Sequence, residues 1–295
     1  MKVGAFVLEE PLPELKNPHA LAMLSPWVDI GRAGSGALST LETIYGAQPL
    51  GKLEVPGNFY DFTRYRPTVS RKGGGREVKV PNTFVNVAHR ETGNDFVFLH
   101  CLEPHNLGEM YIESVLGLLE KLGVKRYCLV GSMYDSVPHT RPLLVSGTAS
   151  EGDVAGELTK LNLSSRAYEG PTTINILISE WAPKLGIETL GLIGHLPYYA
   201  QLEEDFSGQY CLLNILDQVY DLSLDLGEIK AKGEAQYRKL GQAVEADPQL
   251  REMVRMLEMS YEARSQDRPD VDKGAQLSPE IEKFLRDINR DFGSH

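Results

Sequence analysis

The chain has 295 residues, 42% hydrophobic and 24% charged, an ordinary globular composition with enough apolar side chains for a sizeable core. Its formal net charge of −11 would repel a phosphate backbone, so nucleic-acid binding is not expected. No stretch approaches the ~20 apolar residues of a membrane span, and the chain reaches acidic Glu9 too soon for a signal peptide, so a cytoplasmic protein without membrane contact is expected.

Val3 to Leu8 and Ala20 to Leu24 are short apolar runs bounded by prolines, the pattern of strands buried on both faces. Then comes the turn Trp27-Val-Asp-Ile-Gly-Arg-Ala-Gly-Ser-Gly36, followed by helical spacing through Leu38, Leu41, Ile44 and Tyr45. Free backbone N–H groups in such a turn can cradle a phosphate, but it spells neither G-x-G-x-x-G nor a lysine-bearing P-loop. A tight turn at Gly31 with close helix packing, capped by Asp29, is the commoner meaning.

Leu50 to Val55 reads as a strand, and residues 56 to 82 as a polar excursion whose Arg71-Lys-Gly-Gly-Gly-Arg76 is a mobile loop tip or an anion wrap. Thr83 to His89 and Asp95 to Cys101 flank Glu91-Thr-Gly-Asn94 as a hairpin, and the second strand runs into Leu102-Glu-Pro-His-Asn106. A helix spans Leu107 to Leu122 with Gly123 at its end. Residues 125 to 130 form a strand that empties into the loop Gly131 to Pro142, which holds Tyr134, Asp135, His139 and Arg141.

A strand at Leu143 to Ser146 follows, then the capping box Ser150-Glu-Gly-Asp153 and a short helix through Leu158 and Leu161. Tyr168-Glu-Gly-Pro171 leads into a helix from Thr172 to Leu185. Ile187 to Gly194 is a strand, His195-Leu-Pro-Tyr-Tyr199 its exit, and Phe206 to Tyr220 a long helix. This alternation predicts a three-layer α/β/α fold on a mostly parallel mixed sheet with one antiparallel hairpin inserted.

From residue 221 the character changes, with 16 acidic and 12 basic side chains in residues 221 to 295. We expect a core domain over 1–220 and a charged helical extension over 221–295. Asp247 and Pro248 start a helix with Leu250, Met253, Val254 and Leu257 as its stripe, residues 265 to 277 read as a linker, and Ser278-Pro279 starts another helix. Cys101, Cys128 and Cys211 are far apart and lie in or beside apolar runs, as reduced thiols do. No His-Glu-x-x-His pair or other metal-ligand spacing occurs, and no metal or cofactor is expected.

In open α/β sheets ligands settle at the carboxyl ends of strands. Polar candidates stand at four such ends: Asp29 with Gly31; Glu103 with His105; Tyr134 to Arg141; and His195 with Tyr198 and Tyr199. One shared crevice is the expectation. Ser132, Asp135 and His139 are the residue types of a hydrolase triad, but they crowd into eight positions and lack a nucleophile elbow, so a self-contained triad there is not expected.

Five motifs in order, Trp27-Val-Asp-Ile-Gly31, Glu103-Pro104, Val137-Pro-His-Thr-Arg-Pro142, Tyr168-Glu-Gly-Pro171 and Gly194-His-Leu-Pro-Tyr-Tyr199, resemble the proteasome assembly chaperone 2 family, in its bacterial members of about this length. The resemblance covers residues 1 to about 220, and the charged tail is similar to the helical extension of those members. It implies a fold like that of purine nucleoside phosphorylases and self-association into rings or trimers. Eukaryotic relatives help assemble the proteasome core ring, which implies a protein client. Some archaeal relatives dock on proteasomes through a C-terminal hydrophobic-Tyr-any tripeptide. This chain ends Phe292-Gly-Ser-His295, so docking by the tail is not expected.

Two functions from different classes follow. The first is a non-catalytic, homo-oligomeric assembly chaperone or scaffold whose motif loops form an interface. The second is a hydrolase or nucleoside-phosphorylase-like enzyme acting on a small anionic or nucleoside-like substrate. There Arg141 and the glycine turn would bind the anion, His139 or His195 would act as acid or base, and Glu103 would orient the substrate.

Overall fold

The computed structural model describes residues 1–72, 75–150, 153–161, 163 and 170–266. Five expectations fall wholly or partly outside these residues: the helix from Ser278, most of the 265–277 linker, the tip of the 71–76 turn, the middle of the 150–153 capping box and the start of the 168–171 motif.

The run from Val3 to Leu8 is two strands, not one. β1 (Lys2–Val3) turns at Gly4, φ +53°, and pairs antiparallel with β2 (Phe6–Leu8). A Cβ at Gly4 would lie 2.8 Å from Ser114, so the positive φ and the close approach both require glycine. β3 (His19–Ser25) has six of seven residues buried, as the pattern of a strand covered on both faces predicts. α1 (Ala33–Ile44), β4 (Gln48–Leu53), β5 (Thr68–Lys72) and β6 (Gly75–Lys79) follow. The flanks of the expected loop are paired strands: β5 and β6 form a two-stranded sheet separate from the main one.

β7 (Phe84–Ala88) and β8 (Phe96–Leu102) are the expected antiparallel pair, and α2 (Gly108–Lys121) ends at Gly123, φ +70°. β9 (Arg126–Asp135), β10 (Leu144–Ala149), α3 (Asp153–Lys160), α4 (Ile174–Trp181), β11 (Glu188–Pro197) and α5 (Phe206–Tyr220) complete the core. The nine-stranded sheet runs β1-β2-β4-β7-β8-β3-β9-β11-β10. Its centre, β8-β3-β9-β11, is parallel; both margins are antiparallel, which is more than the single hairpin expected.

Strand alternation sorts the core into two layers. Leu21, Met23, Phe96, Phe98, Cys128 and Val130 face α1 and α5, while Ala20, Ala22, Leu24, Val97 and Leu99 face α2 and α4. The expected three-layer α/β/α architecture is therefore present.

Beyond residue 220 lie α6 (Gly227–Ala246) and α7 (Pro248–Gln266). The sequence reading located α7 and its stripe, and missed α6. Gly233 of α6 crosses α5 so closely that a Cβ would lie 2.7 Å from Ser207. Val244, Met253, Val254 and Leu257 form a small separate cluster against Tyr198 and Tyr199. None of the described helices is long and apolar enough to cross a membrane.

Candidate functional site

Because β3, β8, β9 and β11 are parallel, their carboxyl ends share one sheet edge, and all four candidate groups lie along it. Ten paired residues, Arg126 to Asp135 against Glu188 to Pro197, carry β9 and β11 past Gly131 and Gly194. Tyr134, Asp135 and His195 therefore stand on strand ends and not in loops. Gly131 lets the 26–32 turn cross β9, since a Cβ there would meet the Val28 carbonyl oxygen at 2.6 Å.

Asp29 is buried and works locally. Its carboxylate accepts from the Ser35 N–H at 2.9 Å, in the first turn of α1, and from the Ser25 hydroxyl at 3.1 Å. Burial raises its pKa, opposed by those hydrogen bonds. Gly31, φ +58°, lies against Asp205: its carbonyl accepts from the Asp205 N–H at 2.7 Å, and a Cβ would come within 2.7 Å of Asp205 Cβ. Gly36 is as tightly placed against Gln209 of α5. The glycine turn is thus closely packed, at Gly31 against Asp205 and at Gly36 against Gln209.

Asp205, which the sequence reading passed over, caps α5 by accepting from the Gly208 N–H at 2.8 Å and takes a second bond from the Tyr237 hydroxyl at 2.9 Å. Burial pushes its carboxyl up, and Asp205 in turn raises Tyr134 after burial has done so. An acidic residue before Phe206 was the available signal.

Glu103 and His105 are absorbed by neighbouring segments. The Glu103 carboxylate accepts from the Ile174 N–H at 3.0 Å, capping α4 across the fold, and burial raises its pKa. His105 Nδ1 accepts from the Asp61 N–H at 3.1 Å, and its ring lies 4.5 Å from that of Tyr65. His105 thus anchors the 59–65 turn, and the Glu103 side chain the start of α4.

Arg141 does clamp carboxylates, and they belong to α7: Glu258 at 3.1 Å and Glu262 at 2.6 Å. Glu258 also accepts from the Thr140 hydroxyl, and Tyr261 donates to the Pro142 carbonyl at 3.1 Å. His139 meets the Tyr199 hydroxyl at 2.7 Å through both its backbone N–H and Nδ1, and burial lowers its pKa. Tyr198 donates to Met253 Sδ at 2.9 Å. Tyr237, 6.1 Å from the His139 ring, joins this cluster to Asp205 and Gly31.

The crowded set Ser132, Asp135 and His139 does not assemble. Ser132 donates to the Ile30 carbonyl at 2.7 Å, while His139 faces Tyr199. Asp135 instead approaches His195, Oδ2 to Nδ1 3.0 Å, off the line of an ideal hydrogen bond, and His195 Nε2 lies 2.9 Å from the Ser146 hydroxyl. Ser146 carried no local signal. Among the described residues no three His, Cys, Asp or Glu side chains converge to hold a metal ion.

Residues 23–244 match the PAC2 family. No match is found among the curated proteins. Among solved structures, a PAC2 family protein from Streptomyces avermitilis MA is 29% identical with a TM-score of 0.72, covering 80% of this chain and 99% of its own. A proteasome-assembly chaperone homologue from Mycobacterium tuberculosis is 25% identical with a TM-score of 0.71 and the same coverage. PbaB of Pyrococcus furiosus, an archaeal proteasome activator, shares the fold at 15% identity and a TM-score of 0.64, covering 82% of this chain and 99% of its own.

Proposed function

This chain belongs to the PAC2 family, and on that premise we propose that it acts by binding protein, as a homo-oligomeric assembly chaperone or scaffold that is non-catalytic in that role. One observation carries the reading. Along the motif edge the charged groups Asp29, Glu103 and Arg141 are already satisfied within the chain, while large apolar side chains are left bare. Trp27 is 67% exposed, and Leu107 just ahead of α2 and Met133 and Tyr134 at the end of β9 are exposed as well. An edge of that kind offers contact area to a partner.

The β5–β6 hairpin supports self-association. A two-stranded hairpin is marginal in water without a covering surface. Here the paired Val69 and Val78 are both exposed, and between Thr63 and Val80 six basic side chains stand against one acidic, on a chain of net charge −11. An acidic second copy is the matching surface. Trp27, Leu107, Met133 and Tyr134 are the edge residues we assign to the partner-facing region, with the boundary to the helical extension near residue 220. Three free cysteines, two of them buried, suit a reducing compartment such as the cytoplasm.

A hydrolase reading rests on a separate constellation, Ser146, His195 and Asp135, and needs no part of the Arg141 cluster. Native mass spectrometry at micromolar concentration tests the binding reading: an assembly of several copies is expected, and Trp27→Asp should weaken it. A monomer at every concentration would overturn the homo-oligomer.

A further inference from the structure

Three neighbouring strands place three reactive residue types in one line. β9 ends on Asp135, β11 carries His195 just inside its end, and β10 presents Ser146 diagonally across from it on the same face. His195 is buried at 3% exposure, with Asp135 Oδ2 3.0 Å from Nδ1 and the Ser146 hydroxyl 2.9 Å from Nε2. A carboxylate beside Nδ1 favours the tautomer with its proton there, which leaves Nε2 to accept from serine.

We propose that Ser146 is an acyl-accepting nucleophile for small carboxylic esters, with His195 as its base and Asp135 as the positioning residue. The function goes beyond protein binding and requires neither an oligomer nor a client. Its members come from three separate strands, as nucleophile, base and orienting carboxylate usually come from separate segments. Ser146 is half-buried, and its hydroxyl is held against His195 Nε2. β10 is the margin of the sheet, and among the described residues no strand pairs with it beyond β11. The free edge of such a strand leaves alternate backbone N–H groups unpaired, the donor type that stabilises a developing oxyanion.

The chemistry balances without a co-reactant other than water. Ser146 Oγ bonds to the ester carbonyl carbon as its proton moves to His195 Nε2. The tetrahedral adduct then collapses, the bond to the alkoxy oxygen breaks, and Nε2 returns the proton to the leaving alcohol. Water attacks the acyl-serine by the same route, releasing the carboxylic acid and restoring the hydroxyl.

The test is to expose the full chain to a fluorophosphonate probe and map the adduct by peptide mass spectrometry, with heat-denatured protein as control. A single adduct on Ser146 is expected in the wild type, a result that does not depend on any variant folding. His195→Gln should slow labelling ~10²–10⁴-fold. Asp135→Asn should slow it too and Asp135→Glu should restore part of the rate, a rescue that a merely structural carboxylate would not give. No adduct above the denatured control, or an adduct on another residue, would overturn the proposal. Either result leaves the oligomer reading untouched, because that is read by native mass.

Discussion

Two neighbouring helices are held by different physics. In its 15 residues α5 buries Gly208, Gln209, Leu212, Leu213, Leu216 and Tyr220, joining the sheet core along a continuous stripe. α6, with 20 residues, buries only Gly233 and Val244. It is tied down by single polar contacts: Tyr237 to Asp205 at 2.9 Å, and Gln236, which accepts from the Phe206 N–H at 3.1 Å and donates to the Glu204 carbonyl at 2.6 Å. α7 repeats the second mode with Glu258 and Glu262 on Arg141. Apolar burial scales with area and makes α5 part of the global fold. Polar straps contribute less apiece, so the extension can open while the core stays folded.

The largest effect should come from the α5 stripe. Leu212→Ala removes a fully buried side chain and should cost ~2–5 kcal/mol in urea unfolding. A loss well under 1 kcal/mol would place α5 with the strapped helices.

Acid should act next, at the foot of the same helix, where the His19 ring meets Tyr220 edge-on at 5.6 Å. Burial, then the charges of Arg126 and Arg90, lower the His19 pKa from 6.5 to about 4. As pH falls from 6.5 towards 4 the unfolded chain takes up a proton that the folded one refuses, so stability present above 6.5 is lost across that window. The loss is on the order of 3 kcal/mol. The slope of unfolding free energy against pH should flatten there in His19→Gln, and an unchanged slope would assign the acid limb elsewhere.

The strapped helices should respond less. Tyr237→Phe deletes the hydroxyl on buried Asp205 and should cost ~1 kcal/mol, with faster amide exchange in α6 before α5. Smallest in global stability is Arg141→Ala, because its ion pairs are partly solvent-exposed and salt-screened. Amide exchange in α7 should nevertheless accelerate, and raised salt should do the same to the wild type. Equal protection of α7 and α5 in both proteins would erase the distinction drawn between them.

The same contrast separates what was legible in the sequence from what was not. Phe206 to Tyr220 was read end to end because its apolar residues repeat at helical spacing, and α7 announced itself through Asp247, Pro248 and its stripe. α6 gave no such stripe: it crosses α5 at Gly233, where a missing side chain makes the contact, and periodicity cannot register that. In the candidate site the four strand ends were placed together correctly, but the strands were read too short. Gly131 and Gly194 looked like exits, whereas Gly131 is small to let the 26–32 turn cross β9.

By itself, the sequence determined the parallel central strands, the two helix layers and the edge on which the motifs gather, because local patterning of apolar residues and turn formers sets each of these. Only the tertiary structure decided which charges meet: Arg141 with glutamates more than a hundred residues downstream, Glu103 with the start of α4, and His195 between Asp135 and Ser146. Such pairings join positions with no shared period, and a one-residue change of strand register would have turned Ser146 to the opposite face of the sheet.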